Sequence, residues 1–303
     1  EKIYIKERGD LSGMRKVQYG YTVLLDANKK VTSCFHNSGF TREKRLSNSN
    51  IELIEHIVPI PPLQGIDIEM FFGECSSKES LLEVKLLEYD YSIDTKTCIE
   101  KAILDLREIN SIKASEIFNI KISHNRERWI VLKPISGRHD KFFISLFYSN
   151  EQYKKLFDCV HSSSFSSNPY IAKTKKNKNK LRSLKFAPFL LNQKNTFKNK
   201  EGMISFLCII GDENKDIKAR IRVFSSNSKN FELIHQKKIK KRCVHHINLN
   251  QLVDIKANEG QKGFFICQLE SEEANLDSYL IHSNCESDLK NISSLAIDHL
   301  TGG

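Results

Sequence analysis

The chain has 303 residues, 40% of them apolar and 28% charged, with a formal net charge of +10 at pH 7. That composition can fill a sizeable core and excludes a disordered polymer. No run of about eighteen apolar residues occurs, which excludes a transmembrane helix. The length suggests two domains. The chain opens on Glu1 and closes on "AIDHLTGG", so a leader or further segments are left open.

Short strands separated by turn residues dominate in chain order. "YGYTVLLDANKKVTSCF" predicts a hairpin turning at Asp26-Ala27-Asn28. Further strands are expected at Ile68–Phe72, Leu81–Tyr89, Trp129–Leu132, Phe142–Tyr148, Ile204–Ile210, Ile217–Phe224, Cys243–Leu249, Gly263–Leu269 and Ser278–His282. These are rich in Ile, Val, Phe and Tyr, which suit a pleated, half-buried surface. Alternation is plain in "IKARIRVF", where Lys and Arg take every second place. Helical patterning is sparse. Tyr153, Leu156, Phe157 and Val160 predict a short helix over Ser149–Val160, capped by Ser149 or Asn150, and Leu106–Ile120 is a second helix candidate.

Many short strands and few helices predict a mainly β protein of β-sandwich, jelly-roll-like units. An internal echo predicts that these are tandem and duplicated. "MFFG" ending at Gly73 answers "LCIIG" ending at Gly211, and "LLEVKLLEYD" answers "KARIRVFSSN". "ILDLREINSIKA" answers "HINLNQLVDIKA", with Ile112-Lys113-Ala114 set against Ile255-Lys256-Ala257. "FFISLFYSN" answers "LDSYLIHSN", and upstream Val58-Pro59-Ile60 answers Ala187-Pro188-Phe189. Residues 1–160 thus form a first unit with its core repeat at 66–150, and residues 202–303 a second with its repeat at 202–284. Residues 161–201 are a basic polar linker or the entry segment of the second unit.

That linker carries the net charge. No acid occurs between Asp158 and Glu201, while Lys173, Lys175, Lys176, Lys178, Lys180, Arg182, Lys185, Lys194, Lys198 and Lys200 do. Removing these ten from 47 bases leaves 37 against 37 acids, so the rest of the chain is balanced. Lysine density alone gives salt-sensitive, non-specific phosphate binding, and no aromatic residue interrupts "KTKKNKNKLR" for base stacking. Nucleic-acid association through Lys173, Lys175, Lys176, Lys178, Lys180, Arg182 and Lys185 is therefore the alternative, and a solvated loop the plainer reading.

Eight cysteines are widely and irregularly spaced, with no CxxC. Cys208 and Cys267 lie inside apolar strands, where cysteine behaves as a small hydrophobe, so free thiols and a reducing compartment are favoured. P-loop, GxSxG and HExxH motifs are absent. Adjacent residues of a strand face opposite ways, so His245 and His246 would point one inward and one outward and cannot share a metal. Glu88, Asp90 and Asp94, like Asp212, Glu213 and Asp216, read as solvated turns rather than Ca²⁺ loops. No cofactor or metal is expected.

Trp129, the sole tryptophan, stands among Arg126, Arg128 and Lys133. It is a core residue or else a stacking platform for a sugar or base, with Arg126 and Arg128 as its cations. The expectation drawn from all this is a non-catalytic binding or assembly module whose ligand is a protein partner or a glycan. The alternatives are a nucleic-acid-associated protein and an enzyme on a jelly-roll scaffold, with His and carboxylates converging from distant strands.

Overall fold

The computed structural model describes residues 17–25, 31–40, 55–72, 81–107, 109–119, 126–136, 144–150, 156–163, 183–191, 201–225, 232–254, 263–274, 276–286, 292 and 294–302. Two compact units divide the chain, residues 1–51 and 52–303. In the first, β1 (Val17–Leu25) pairs antiparallel with β2 (Val31–Phe40), Val17 opposite Phe40. This is the predicted hairpin; its turn at Asp26-Ala27-Asn28 lies outside the described residues.

The larger unit is built from antiparallel sheets. One has the order β3 (His56–Ile60), β8 (Glu127–Ser136), β5 (Leu81–Asp90), β6 (Thr95–Asp105). Its companion runs β10 (Leu156–His161), β9 (Ser145–Asn150), β4 (Ile66–Phe71), β7 (Ser111–Lys113). Then comes a five-stranded sheet of β14 (Glu232–Ile239), β13 (Ile217–Ser225), β16 (Gly263–Ser271), β11 (Ser183–Leu191) and β19 (Thr301–Gly302). The last runs β15 (Val244–Asn248), β12 (Glu201–Ile210), β17 (Asp277–Glu286), β18 (Ser294–His299). Short helices α1 (Ala114–Ile117) and α2 (Leu249–Asp254) follow β7 and β15. No helix among the described residues is long and apolar enough to cross a membrane.

Alternation sets the sheet faces. In β5, Leu82, Val84 and Leu86 are buried while Glu83 and Lys85 are half-exposed. In β13, Ile217, Ala219, Ile221 and Val223 turn inward and Lys218 and Arg220 outward. Where alternation fails, both faces are covered. The unbroken run "ISFLCII" of β12 is buried throughout. Phe206, Cys208 and Ile210 belong to one core with Ile68, Leu86 and Trp129, whereas Leu207 and Ile209 belong to a second with Ile221, Phe265 and Leu269. The sheet around β12 therefore serves two cores, and a continuous apolar strand is what such a position requires.

The predicted helix over Ser149–Val160 is not formed. Ser149 lies in β9, and Leu156–His161 is β10, paired antiparallel to β9 with Val160 opposite Leu146. The apolar spacing fitted a helical face, but the free edge of β9 supplies a full ladder partner, and tertiary pairing overrides a weak local preference. Leu106–Ile120 likewise holds only β7 and the four-residue α1 among its described residues.

Candidate functional site

Two places gather chemistry. The first is the outward face of the five-stranded sheet. Antiparallel register aligns side chains in rows across it: Phe186, Gln268, Arg222 and Ile234 in one, Pro188, Ile266, Phe224 and Glu232 in the next. Phe186, Ile234 and Ile266 remain 40%, 48% and 41% exposed. Beyond them a third row holds Leu184, Glu270, Arg220 and Gln236, and Lys218 stands opposite Lys238. The face thus grades from apolar to charged, with bases and acids mixed at the charged end.

Glu270 organises its middle. Only 4% exposed, it accepts from Arg220 Nη1 at 3.3 Å, from Arg222 Nη1 at 3.2 Å, and from Gln268. Arg222 also grips Glu232 through Nε at 2.7 Å and lies 5.1 Å over the Phe224 ring. A cleft of about 380 Å³ opens beside this network, lined by Lys218, Arg220, Gln236, Lys238, Glu270 and Ser271 among others. Lys238 is paired with Asp216 at 2.8 Å, whereas Lys218 has no carboxylate partner among the described residues.

The second place is the seam where the two-faced sheet meets the β3–β8 side of the neighbouring sandwich. Glu127 of β8 accepts from the His246 backbone N–H at 2.9 Å and from His246 Nδ1 at 2.6 Å. Burial works against an imidazolium here, but the Cys208 sulfur and the Glu127 carboxylate outweigh it and push His246 up to about 10. Next in sequence, His245 is wholly buried and behaves oppositely. Its Nε2 accepts the Lys240 backbone N–H at 2.9 Å, and its Nδ1 lies 2.5 Å from Tyr91 Oη. Burial lowers it to about 4. Around this pair, Lys240 Nζ meets Asp94 at 2.6 Å, Lys237 Nζ sits 4.6 Å from the Tyr91 ring centre, and Arg242 meets Glu55.

The adjacent histidines do take opposite faces, but the expectation that one points outward is corrected. The His246 side chain is 1% exposed, because the face it occupies is covered by the first sandwich. Further along the seam, Asp277 accepts from Ser163, from Lys185 Nζ at 3.2 Å and from His299 Nε2 at 2.5 Å. These contacts outweigh its burial and hold its carboxyl far below the usual range. The carboxylate, not the histidine, is central here, so this is not the order of a Ser-His-Asp relay.

The residues singled out in the sequence are dispersed. Trp129 is fully buried, on the same face of β8 as Glu127, and its Nε1 has no hydrogen-bond partner among the described residues. Arg126 Nη1 and Arg128 Nε both donate to Glu88, each at 2.7 Å, with Arg128 on the strand face opposite to Trp129. Lys185 is 8% exposed and tied to Asp277; Lys173, Lys175, Lys176, Lys178, Lys180 and Arg182 lie outside the described residues. Asp90 accepts from the Ser92 amide in an exposed turn, Asp212 receives the amides of Asn214 and Lys215, and Glu213 meets Arg242. No group of three His, Cys, Asp or Glu placed to hold a metal ion occurs among the described residues. Cys208, Cys243 and Cys267 are buried free thiols and Cys98 an exposed one.

Neither the seam pairs nor the Glu270 network was visible in the sequence. The only local signal was the Lys/Arg alternation of "IKARIRVF", which marks the outward face without naming its partners. No protein-family model matches the chain, and no curated protein matches it either.

Proposed function

We propose that the protein is a non-catalytic binding or assembly module that takes a protein partner on the outward face of its five-stranded sheet. The observation that carries this reading is the set of Phe186, Ile266 and Ile234 left exposed on that face beside a charged end. Contiguous exposed apolar surface marks interaction sites. Two of its three anchors are isoleucines, which offer no flat ring for a sugar to stack on, so the chemistry favours protein over glycan. Lys218 and Lys238 directly opposite one another repel, and Lys218 has no carboxylate partner among the described residues. The partner's matching surface accordingly carries apolar side chains, with a carboxylate where it meets Lys218.

The same reading takes the scaffold as a tandem duplication. What supports it is strand order: β3-β8-β5-β6 corresponds to β11-β16-β13-β14, and β10-β9-β4-β7 to β18-β17-β12-β15, with a short helix after the fifth strand of each set. On that correspondence Val58-Pro59 in β3 answers Ala187-Pro188 in β11. Ser111–Lys113 then answers Val244–Asn248 rather than the stretch around Lys256 that its letters resemble.

A photo-crosslinking residue at position 234, followed by titration of the captured protein against the purified chain, tests the function. Supporting it is binding weakened at least about tenfold by Ile266→Asp and untouched when Lys175, Lys176, Lys178 and Lys180 become Gln. The reverse dependence, with steep loss in salt, assigns the chain to nucleic acid instead. Glycan binding indifferent to Ile266→Asp also overturns the proposal.

A further inference from the structure

The hairpin end Asp90–Thr95, which joins β5 to β6, reaches out of the first sandwich and is held by the second. Its holders are the segment Lys237–Lys240 and His245. We propose that the Tyr91–His245 contact is an acid-sensitive latch, which keeps this hairpin end docked at neutral pH and releases it when the His245 ring takes a second proton.

The argument rests on which atoms donate. Lys240 N–H points at His245 Nε2, so that nitrogen must offer a lone pair. The single proton of the neutral ring is then on Nδ1, where it donates to Tyr91 Oη at 2.5 Å. Protonating the ring puts a hydrogen on Nε2 facing the Lys240 amide hydrogen. Donor meets donor, and the ring, 0% exposed, cannot turn to water instead. No alternative tautomer satisfies both partners.

The charges around the ring do not rescue the cation. Glu127, the nearest carboxylate on β8, already accepts two hydrogen bonds from His246. His246 itself, on β15, and Lys237, on β14, both repel a second positive charge, while Asp216 and Glu127 attract it. Asp94 is taken by Tyr89 and by Lys240 Nζ, and Cys243, Tyr89 and Tyr91 complete the surround. Burial dominates and lowers the ring to about 4, so the latch is shut at neutrality and opens in mild acid. The seam proper does not depend on it. Glu127–His246, Ser163–Asp277 and the apolar core between them remain, which makes the release local rather than a parting of the sandwiches.

Amide exchange resolved at Lys240 and across Asp90–Thr95, corrected for intrinsic rates and followed from neutral pH to about pH 4, tests the latch in the whole chain. Protection there falls about tenfold or more, while the emission of Trp129, buried in the seam, stays unshifted. In His245→Gln, whose amide offers an acceptor and a donor without titrating, the fall is absent. Tyr91→Phe, which removes the hydroxyl but not the ring, moves the loss of protection to higher pH. An equal loss in His245→Gln overturns the latch. So does a red shift of Trp129 that coincides with the loss, since it reports the whole seam opening. Unchanged protection in the wild type overturns it as well.

Discussion

Glu127 and His246, which lie 119 positions apart, face each other across the seam at 2.6 Å, and the same carboxylate holds the His246 backbone N–H at 2.9 Å. One side chain thus fixes both the ring and the register of β15 against β8. Glu127→Gln leaves a buried imidazole without its counter-charge and is expected to destabilise the fold by about 3 kcal/mol. Replacing both partners by apolar residues, Glu127→Leu with His246→Phe, costs less than the sum of those two single changes, because each single leaves a buried polar partner unpaired. Urea unfolding of the two singles and the double gives the coupling; additive costs refute it.

The two neighbouring histidines shape stability from opposite sides. Burial lowers His245 from 6.5 to about 4 in the folded state. The unfolded chain then binds the proton that the folded ring refuses, and the His245 contribution, complete above about 6.5, is lost as pH falls through about 4. His246 is raised from 6.5 to about 10, so its contribution is complete below about 6.5 and is lost as pH rises through about 10. Denaturation midpoints against pH should therefore form an arch with its top near 6.5. In His245→Gln the acid limb becomes shallower while the alkaline limb is unchanged.

Trp129→Ala empties the largest side chain of the seam and is expected to cost about 3–5 kcal/mol. Trp129→Phe costs less than half of that, because it also removes an indole N–H that has no partner among the described residues. Thermal melts of the two variants distinguish packing from polarity. Equal costs would contradict the packing argument.

Gly211 is irreplaceable for a reason of space. A Cβ there would stand 2.5 Å from the Lys240 carbonyl oxygen and 3.0 Å from that of Cys243, both backbone atoms. Gly211→Ala should cost about 1–3 kcal/mol by overpacking. At Gly65, φ +79, an added Cβ would meet nothing within 4 Å, so Gly65→Ala carries only the left-handed penalty, about 1–2 kcal/mol. Melting temperatures rank the two, and the order Gly65→Ala worse than Gly211→Ala contradicts the packing argument.

Where side chains alternate, or run unbroken through a doubly covered sheet, the strands were legible: β5, β12 and β13 stand where periodicity places them. Pairing that depends on a distant neighbour was not. β3 contains Pro59, which argues against a strand, yet it lies at a sheet edge where proline is tolerated. β10 wore a helical spacing. The seam was wholly hidden, since the pairing of Glu127 with His246 or of Asp277 with Ser163 leaves no local trace. A surface could be guessed from "IKARIRVF", but its apolar end comes from Phe186 and Ile266, on strands far away in the chain.

Because β12 lends alternate side chains to two cores, its sheet is a party wall. Each sandwich lacks one of its own boundaries. Severing the chain between residues 163 and 183 would not liberate two modules; it would strip the first of the cover over Trp129 and leave Phe206, Cys208 and Ile210 of the second facing water. The two sandwiches have given up separate existence, and they must melt together as one cooperative body.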